Sequence, residues 1–389
     1  MTLRPAARTK GIEPFYVMEI VKEAQRLADA GRSIVHLSIG EPDFTAPPPV
    51  QAAARRAIEA GLTQYTPALG TDALREAIAA EYARRHQIAV DPERVIVTAG
   101  ASGALLLALA ALLENDATLL MPDPSYPCNR HFAAVLGGRA QLLPCGPESR
   151  FQPTAAMIEA AWAGKTAGVL LASPSNPTGT SIDPPALAAI AESVRARAGF
   201  LLVDEIYQGL SYDQAPSTAL SLGEDILALA SFSKYFSMTG WRLGWLVAPR
   251  TLVPALEKLA QNLFICPSAV AQHAALACFS AEALATYEAR REEFRRRRDF
   301  LVPALQGLGF ELPVVPDGAF YIYAGIRRFA SDSWSFAFEL LRETGVCVVP
   351  GRDFGTADTA SYVRFSYANK REKLEEAVSR MEGFLRRRR

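Results

Sequence analysis

The sequence carries no excess of charge: 41 Lys and Arg balance 41 Asp and Glu. Without a net field there is no electrostatic footprint for nucleic acid or an anionic membrane surface, so neither is an expected partner. Cysteine is sparse. Cys128, Cys145, Cys266, Cys278 and Cys347 are odd in number and include no close pair. That speaks against a disulfide framework or a zinc site and fits free thiols in a reducing cytoplasm. His36, His86, His131 and His273 are scattered, with no metal-ligand spacing, so no metal is expected. The most apolar stretch, residues 101–113, falls short of the roughly 20 residues a membrane span needs. The N-terminal segment MTLRPAARTKGIEP is basic but has no apolar signal-peptide core. Neither GxGxxG nor GxxxxGK[ST] occurs, which removes the common nucleotide-binding loops. The basic runs 295–298 and 386–389 read as a solvated helix face and a frayed terminus.

What is present is a long, apolar chain: 50% of its 389 residues are hydrophobic, enough for a large core and two or three compact units. Short β-branched or leucine-rich runs alternate with helical periodicity. SIVHLSIG (33–40), RVIVTAG (94–100), residues 117–121, GVLLA (168–172), FLLVD (200–204), ILALA (226–230) and LGWLVAP (243–249) read as strands. Helices are expected at 13–30, 47–60, from 73 to 86, at 101–113, 153–162 and 184–197, and over most of 251–306. The last quarter reads as strands at 310–326, a helix at 333–343, a strand at 362–368 and a final helix from 370. The pattern is α/β, with polar residues where strands end, the place such sheets bind ligands.

Those strand ends hold the chemistry. SFSKYFSMTGWRLGW (231–245) sets Lys234 between Ser231 and Ser233, with Arg242 further on, among flanking aromatics that do not suit a solvated loop. A lysine at the rim of a sheet is partly desolvated, which favours its free amine and makes it a nucleophile. Ser231, Ser233 and Arg242 are donors suited to a phosphate. Lysine beside a phosphate clamp suggests a Schiff base to pyridoxal phosphate (PLP). Asp204 closes a buried strand, where a carboxylate is costly unless it meets a cation or donors, and Tyr207 follows it. At 98–103 a strand, a small-residue turn and a buried helix form an anion site or an ordinary tight turn; Ala101 and Ser102 lie there. Tyr126 projects from the proline-rich turn DPSYP, either to stack on a flat ring or as a core tyrosine. Asn176 is held between Pro174 and Pro177. Arg364 alternates with Val363 and Phe365 on a strand and wants a carboxylate, from a ligand or from the protein. Taken alone, Gly40 is a turn glycine and Tyr65 a half-buried aromatic.

GEPDF, YTPALG, DPSYP, SPSNPTG, DEIY, SFSKYFSMTGWRLGW, PGRDFG and VRFSYA occur in the order of one family. Over about residues 12–385 the chain resembles the class I and II aminotransferases, fold-type I PLP enzymes. The resemblance implies a large PLP-binding domain (46–285) with a mostly parallel sheet between helices. It also implies a smaller α+β domain from residues 1–45 and 286–389, joined near 285–300 where charge rises. By the same resemblance Lys234 carries the cofactor, Asp204 faces the pyridine nitrogen, and Tyr207 and Asn176 bond the 3′-oxygen. Tyr126 would lie against the ring. Ala101, Ser102, Ser231, Ser233 and Arg242 would hold the phosphate, with Tyr65 reaching it in the partner of a homodimer. Gly40, Asn176 and Arg364 would take the substrate carboxylate. The implied reaction is ping-pong transfer of an amino group from an L-amino acid to a 2-oxo acid. Where some aspartate-using members carry a lysine this chain has Ser102, and Phe15, Tyr16 and Tyr126 would make the mouth aromatic. A neutral or aromatic donor is therefore expected, with a dicarboxylate left open because another arginine could serve it. A β-lyase on the same fold would share these residues, and a non-catalytic regulatory domain would need a DNA-binding segment ahead of the fold.

Overall fold

A computed structural model describes residues 3–213, 215 and 217–388. Its strands, in chain order, are Val35–His36 (β1), Val95–Thr98 (β2), Thr118–Asp123 (β3), Arg139–Pro144 (β4), Thr166–Ala172 (β5), Phe200–Asp204 (β6), Leu227–Ser231 (β7), Gly244–Val247 (β8), Tyr321–Gly325 (β9), Val346–Cys347 (β10), Val349–Pro350 (β11) and Tyr362–Ser366 (β12). Seven of them form one sheet in the order β2-β8-β7-β6-β5-β3-β4. The pairs from β4 to β7 are parallel, and β8 runs antiparallel to both its neighbours. The expected α/β architecture, with a mostly parallel central sheet, is what the chain adopts.

Strand alternation sends successive side chains to opposite faces of this sheet. Leu119, Met121, Leu170, Leu202, Leu229 and Leu246 pack with the helix Gly100–Leu112 and with Leu256 and Ala260 on one side. Leu120, Val169, Leu171, Leu201 and Val203 pack with Ile158, Leu187 and Ile190 on the other. Strands buried on both faces account for the unbroken apolar runs seen in the sequence. The helix at 100–112 is buried nearly all round, as its composition requires, with Ser102 its one exposed residue.

A second layer is built from the chain's two ends. β11, β12 and β9 form an antiparallel sheet, and β1 pairs with β10 in parallel. The helix Ala281–Leu308 runs unbroken through 285–300, where a domain boundary is expected from the sequence.

Three expectations are corrected. The strand expected at 33–40 has only two residues, because the backbone beyond it bonds elsewhere: Leu37 O accepts from Ser366 N, Ser38 O from Arg364 and Gly40 O from Lys234. Of the strands expected across 310–326, only Tyr321–Gly325 forms, with Glu311 making a single bridge to Gly325. The run 295–298 is not a solvated face. Arg297 and Arg298 are buried, Arg297 paired with Asp43 and Glu293, and Arg298 with Asp213 and Asp299. Helical spacing turns two consecutive members of such a run inward whenever the helix packs on both sides. All five cysteines are free; Cys145, Cys278 and Cys347 are buried, and Cys128 and Cys266 half-buried. Among the described residues no cluster suited to a metal occurs, and no helix is long and apolar enough to cross a membrane.

Candidate active site

The carboxyl ends of β5, β6 and β7 open into a cavity of about 380 Å³ that brings together Ala172, Asp204 and Ser231. Gly40, Ala101, Ser102, Tyr126, Asn176, Tyr207, Ser233, Lys234, Arg242 and Arg364 line it too. Every site residue expected from the sequence except Tyr65 therefore meets in one place. Tyr65 lies on the surface, 82% exposed.

One end of the cavity is built for an anion. The helix Gly100–Leu112 begins without a side-chain cap, so its first N–H groups and its positive dipole end are open to a ligand. Arg242 leans against that helix start so closely that a Cβ on Gly100 (φ +72°) would lie 2.6 Å from its Nη2. Gly244 likewise has no room for a side chain, since its Cβ would meet Ala101 N at 2.9 Å. Ser231 Oγ donates to Ser233 Oγ at 2.9 Å, and Ser233 Oγ accepts from Arg242 Nη1 at 3.5 Å. Hydroxyls, guanidinium and helix start converge as a phosphate cradle does.

At the other end stands Asp204, 7% exposed. Its Oδ1 accepts from Ile206 N at 3.0 Å. Burial pushes its carboxyl up to about 7, against the Ile206 N–H and the charge of Lys234, which pull it down. A carboxylate so placed is stabilised by a cationic N–H in the cavity. Lys234 lies between the two ends, half-buried, its Nζ donating to Gly40 O at 2.6 Å. Burial lowers its ammonium pKa to about 8, which Glu41 opposes and Arg364 and Arg242 assist. At neutral pH an appreciable fraction is then free amine, as a nucleophile or a proton acceptor requires.

Arg364 is fully enclosed, 5% exposed, yet its hydrogen bonds go to neutral oxygens: Nη1 to Asn176 Oδ1 and Nη2 to Ser38 O, both at 2.8 Å. Its Nε has no partner among the described residues. A buried cation held only by neutral acceptors is expensive and calls for an anion. Among the described residues no carboxylate forms an ion pair with Arg364, the protein partner left open by the sequence. Tyr126 sits edge-on to Phe15, ring centroids 5.9 Å apart, and burial and the neighbouring Cys128 raise its phenol.

Sequence reasoning missed Tyr321. It lies wholly buried at the start of β9, its hydroxyl 2.8 Å from that of Tyr207 and its ring 4.4 Å beneath the Arg364 guanidinium. GAFYIY marks the strand, but only the pairing of Tyr321 with Ser366 places this tyrosine beside Arg364. The wall made by Val17, Met18 and Val21 was also missed, although these residues share a helix face at i, i+1 and i+4. Tyr16, expected at the mouth, turns away to pack on Trp334 and Arg352.

An open helix start with arginine and hydroxyls, a buried acid opposite, and a desolvated lysine between them fit the phosphate, the ring nitrogen and the aldehyde of PLP. Fold and site together define a PLP enzyme on an α/β sheet. The family model for aminotransferase class I and II matches residues 32–381. The valine–pyruvate aminotransferase of Mycobacterium tuberculosis is 43% identical over 387 residues, covering 99% of both chains. A crystal structure of an aminotransferase from the same organism superposes with a TM-score of 0.96 at 43% identity, over 99% of this chain and 100% of that one. Aspartate aminotransferase from Thermus thermophilus with maleate gives 0.93 at 32% identity, over 98% and 100%. The chain belongs to the class I and II aminotransferases and is a PLP-dependent transaminase.

Proposed function

We propose that this aminotransferase takes its amino group from a neutral L-amino acid, aliphatic or aromatic, and that the cavity residues divide the work as follows. PLP supplies the electron sink for the bond broken at the substrate Cα. Lys234 would hold the cofactor's aldehyde end, and its free Nζ would accept the Cα proton. Asp204 keeps its carboxylate against the ring nitrogen, and Asn176 and Tyr207 serve the ring oxygen. The Ser231, Ser233 and Arg242 side chains with the Ala101 and Ser102 N–H groups hold the phosphate. Arg364 forks onto the substrate carboxylate and fixes which Cα bond faces Lys234. The Gly40 N–H adds a donor there. Tyr126 packs on the ring. Tyr65, bare in a single chain, belongs to the phosphate site of a partner in a homodimer. The large unit is residues 46–285, and the chain ends form the smaller one.

The observation that carries the donor preference is the wall of Phe15, Val17, Met18, Val21 and Ile39, apolar throughout. The cavity's cations, Lys234, Arg242 and Arg364, all have other tasks, so among the described residues lining the cavity there is no additional cation for a side-chain carboxylate. The relative named for valine and pyruvate supports the same class of donor. The test is a screen of the loaded enzyme against each amino acid, following conversion of its visible absorption band to the amino form of the cofactor. Valine or phenylalanine is expected to exceed aspartate by about tenfold or more in rate per concentration, the worth of one or two buried methylenes set against an unpaired carboxylate. Aspartate as the preferred donor would refute the assignment.

A further inference from the structure

Tyr321 touches both halves of this site. Its hydroxyl meets the Tyr207 hydroxyl at 2.8 Å, and its ring lies beneath the Arg364 guanidinium at 4.4 Å. It is completely buried, and a Cβ on Gly40 would come within 3.3 Å of its hydroxyl. We propose that Tyr321 is a positioning residue that aims the Tyr207 proton at the cofactor's ring oxygen and holds the Arg364 plane ready for the substrate carboxylate. The inference rests on the role given to Tyr207 above.

Either hydroxyl of the pair can be the donor, and a ligand oxygen that accepts from Tyr207 sets the direction. A buried hydroxyl must place its proton on an acceptor, and the hydrogen-bond partner seen for the Tyr321 hydroxyl is the Tyr207 oxygen. Once Tyr321 donates there, Tyr207 has its own proton left for a ligand oxygen in the cavity. Two hydroxyls donating in series strengthen each other, so the second acts at the ligand through the first. Burial holds the Tyr207 phenol well above its usual range, so it stays protonated and able to donate. The ring has a separate task. A desolvated guanidinium over an aromatic face is held in orientation as well as attracted. Arg364 has Asn176 on one side and Ser38 on another, and Tyr321 closes a third. Asn176 and Tyr207 are thereby both tied to the same arginine, one directly and one through Tyr321.

Two substitutions separate the tasks. Tyr321→Phe removes the hydroxyl and keeps the ring; Tyr321→Leu removes both. The first readout is the pH at which the visible band of the PLP-loaded enzyme changes form. A donor to the ring oxygen favours its negative charge once the neighbouring nitrogen has lost its proton, so a weaker donor moves the midpoint upward. Tyr207→Phe should raise the midpoint most, and Tyr321→Phe should raise it in the same direction by less, about 0.5 in pH. The second readout is the KM for the amino donor, which should stay within about twofold in Tyr321→Phe and rise about tenfold in Tyr321→Leu as the desolvated stacking is lost. A midpoint unmoved by Tyr321→Phe while Tyr207→Phe shifts it would overturn the inference and leave the Tyr207 assignment standing. A midpoint moved by neither would overturn both.

Discussion

Asp204→Asn should make the cofactor-free protein more stable while disabling the enzyme. In the cofactor-free fold burial pushes the Asp204 carboxyl up to about 7, from an ordinary value of 3.8. Between those two values the folded chain keeps a proton that the unfolded chain has released. Stability therefore falls as pH rises from about 4 to about 7 and stays at the lower level above that. A difference of about three in pKa sets a ceiling of roughly 4 kcal/mol. Water reaching Asp204 through the cavity brings the expected value nearer 2 kcal/mol. Asparagine keeps the acceptor for the Ile206 N–H and has the same shape but never carries the charge. Denaturant unfolding of cofactor-free wild type and Asp204→Asn, at pH 8 and again at pH 4, checks this. The variant should be more stable at pH 8, with the gap closing by pH 4. Its turnover with PLP should drop about 10²-fold or more, because a neutral amide cannot hold the ring nitrogen charged. A variant less stable than wild type at pH 8, or a gap independent of pH, would refute the reasoning.

Three further outcomes follow from the same geometry. Arg364→Lys should lower kcat/KM for the amino donor by about 30–100-fold, mostly through KM, since an ammonium cannot fork onto a carboxylate; steady-state kinetics checks it. Gly100→Ala should weaken PLP binding by about tenfold or more, because it strains a backbone at φ +72° and presses a Cβ to 2.6 Å from Arg242; a cofactor titration reads the loss. Arg297→Ala should cost about 3 kcal/mol in unfolding, as it leaves Asp43 without its ion pair beside a buried gap while Glu293 keeps Arg296, whereas alanine at the exposed Arg296 should cost little.

The sequence displayed the site more fully than the fold around it. Lys234, Asp204, Asn176 and Arg242 sit at strand ends, just past them or in proline- and glycine-rich turns, where local composition marks the chain's exits from the sheet. The seven-stranded sheet was legible for the same reason: strands buried on both faces read as apolar runs. Residues 33–40 were over-read because their pattern is that of a strand, while their carbonyls are used by Arg364, Lys234 and Ser366 from distant parts of the chain. Tyr321 was overlooked because its meaning depends on register between β9 and β12, which neither segment encodes alone. The buried Arg297 and Arg298 look like any basic helix face until Asp43 and Asp213 are brought to them.

The covalent attachment point is the most direct test of the account. The PLP-loaded protein can be reduced with borohydride, digested and analysed by mass spectrometry. The account predicts that the added mass sits on the side chain of Lys234 and that Lys234→Ala carries none. The same mass on another lysine, with Lys234 unmodified, would contradict it.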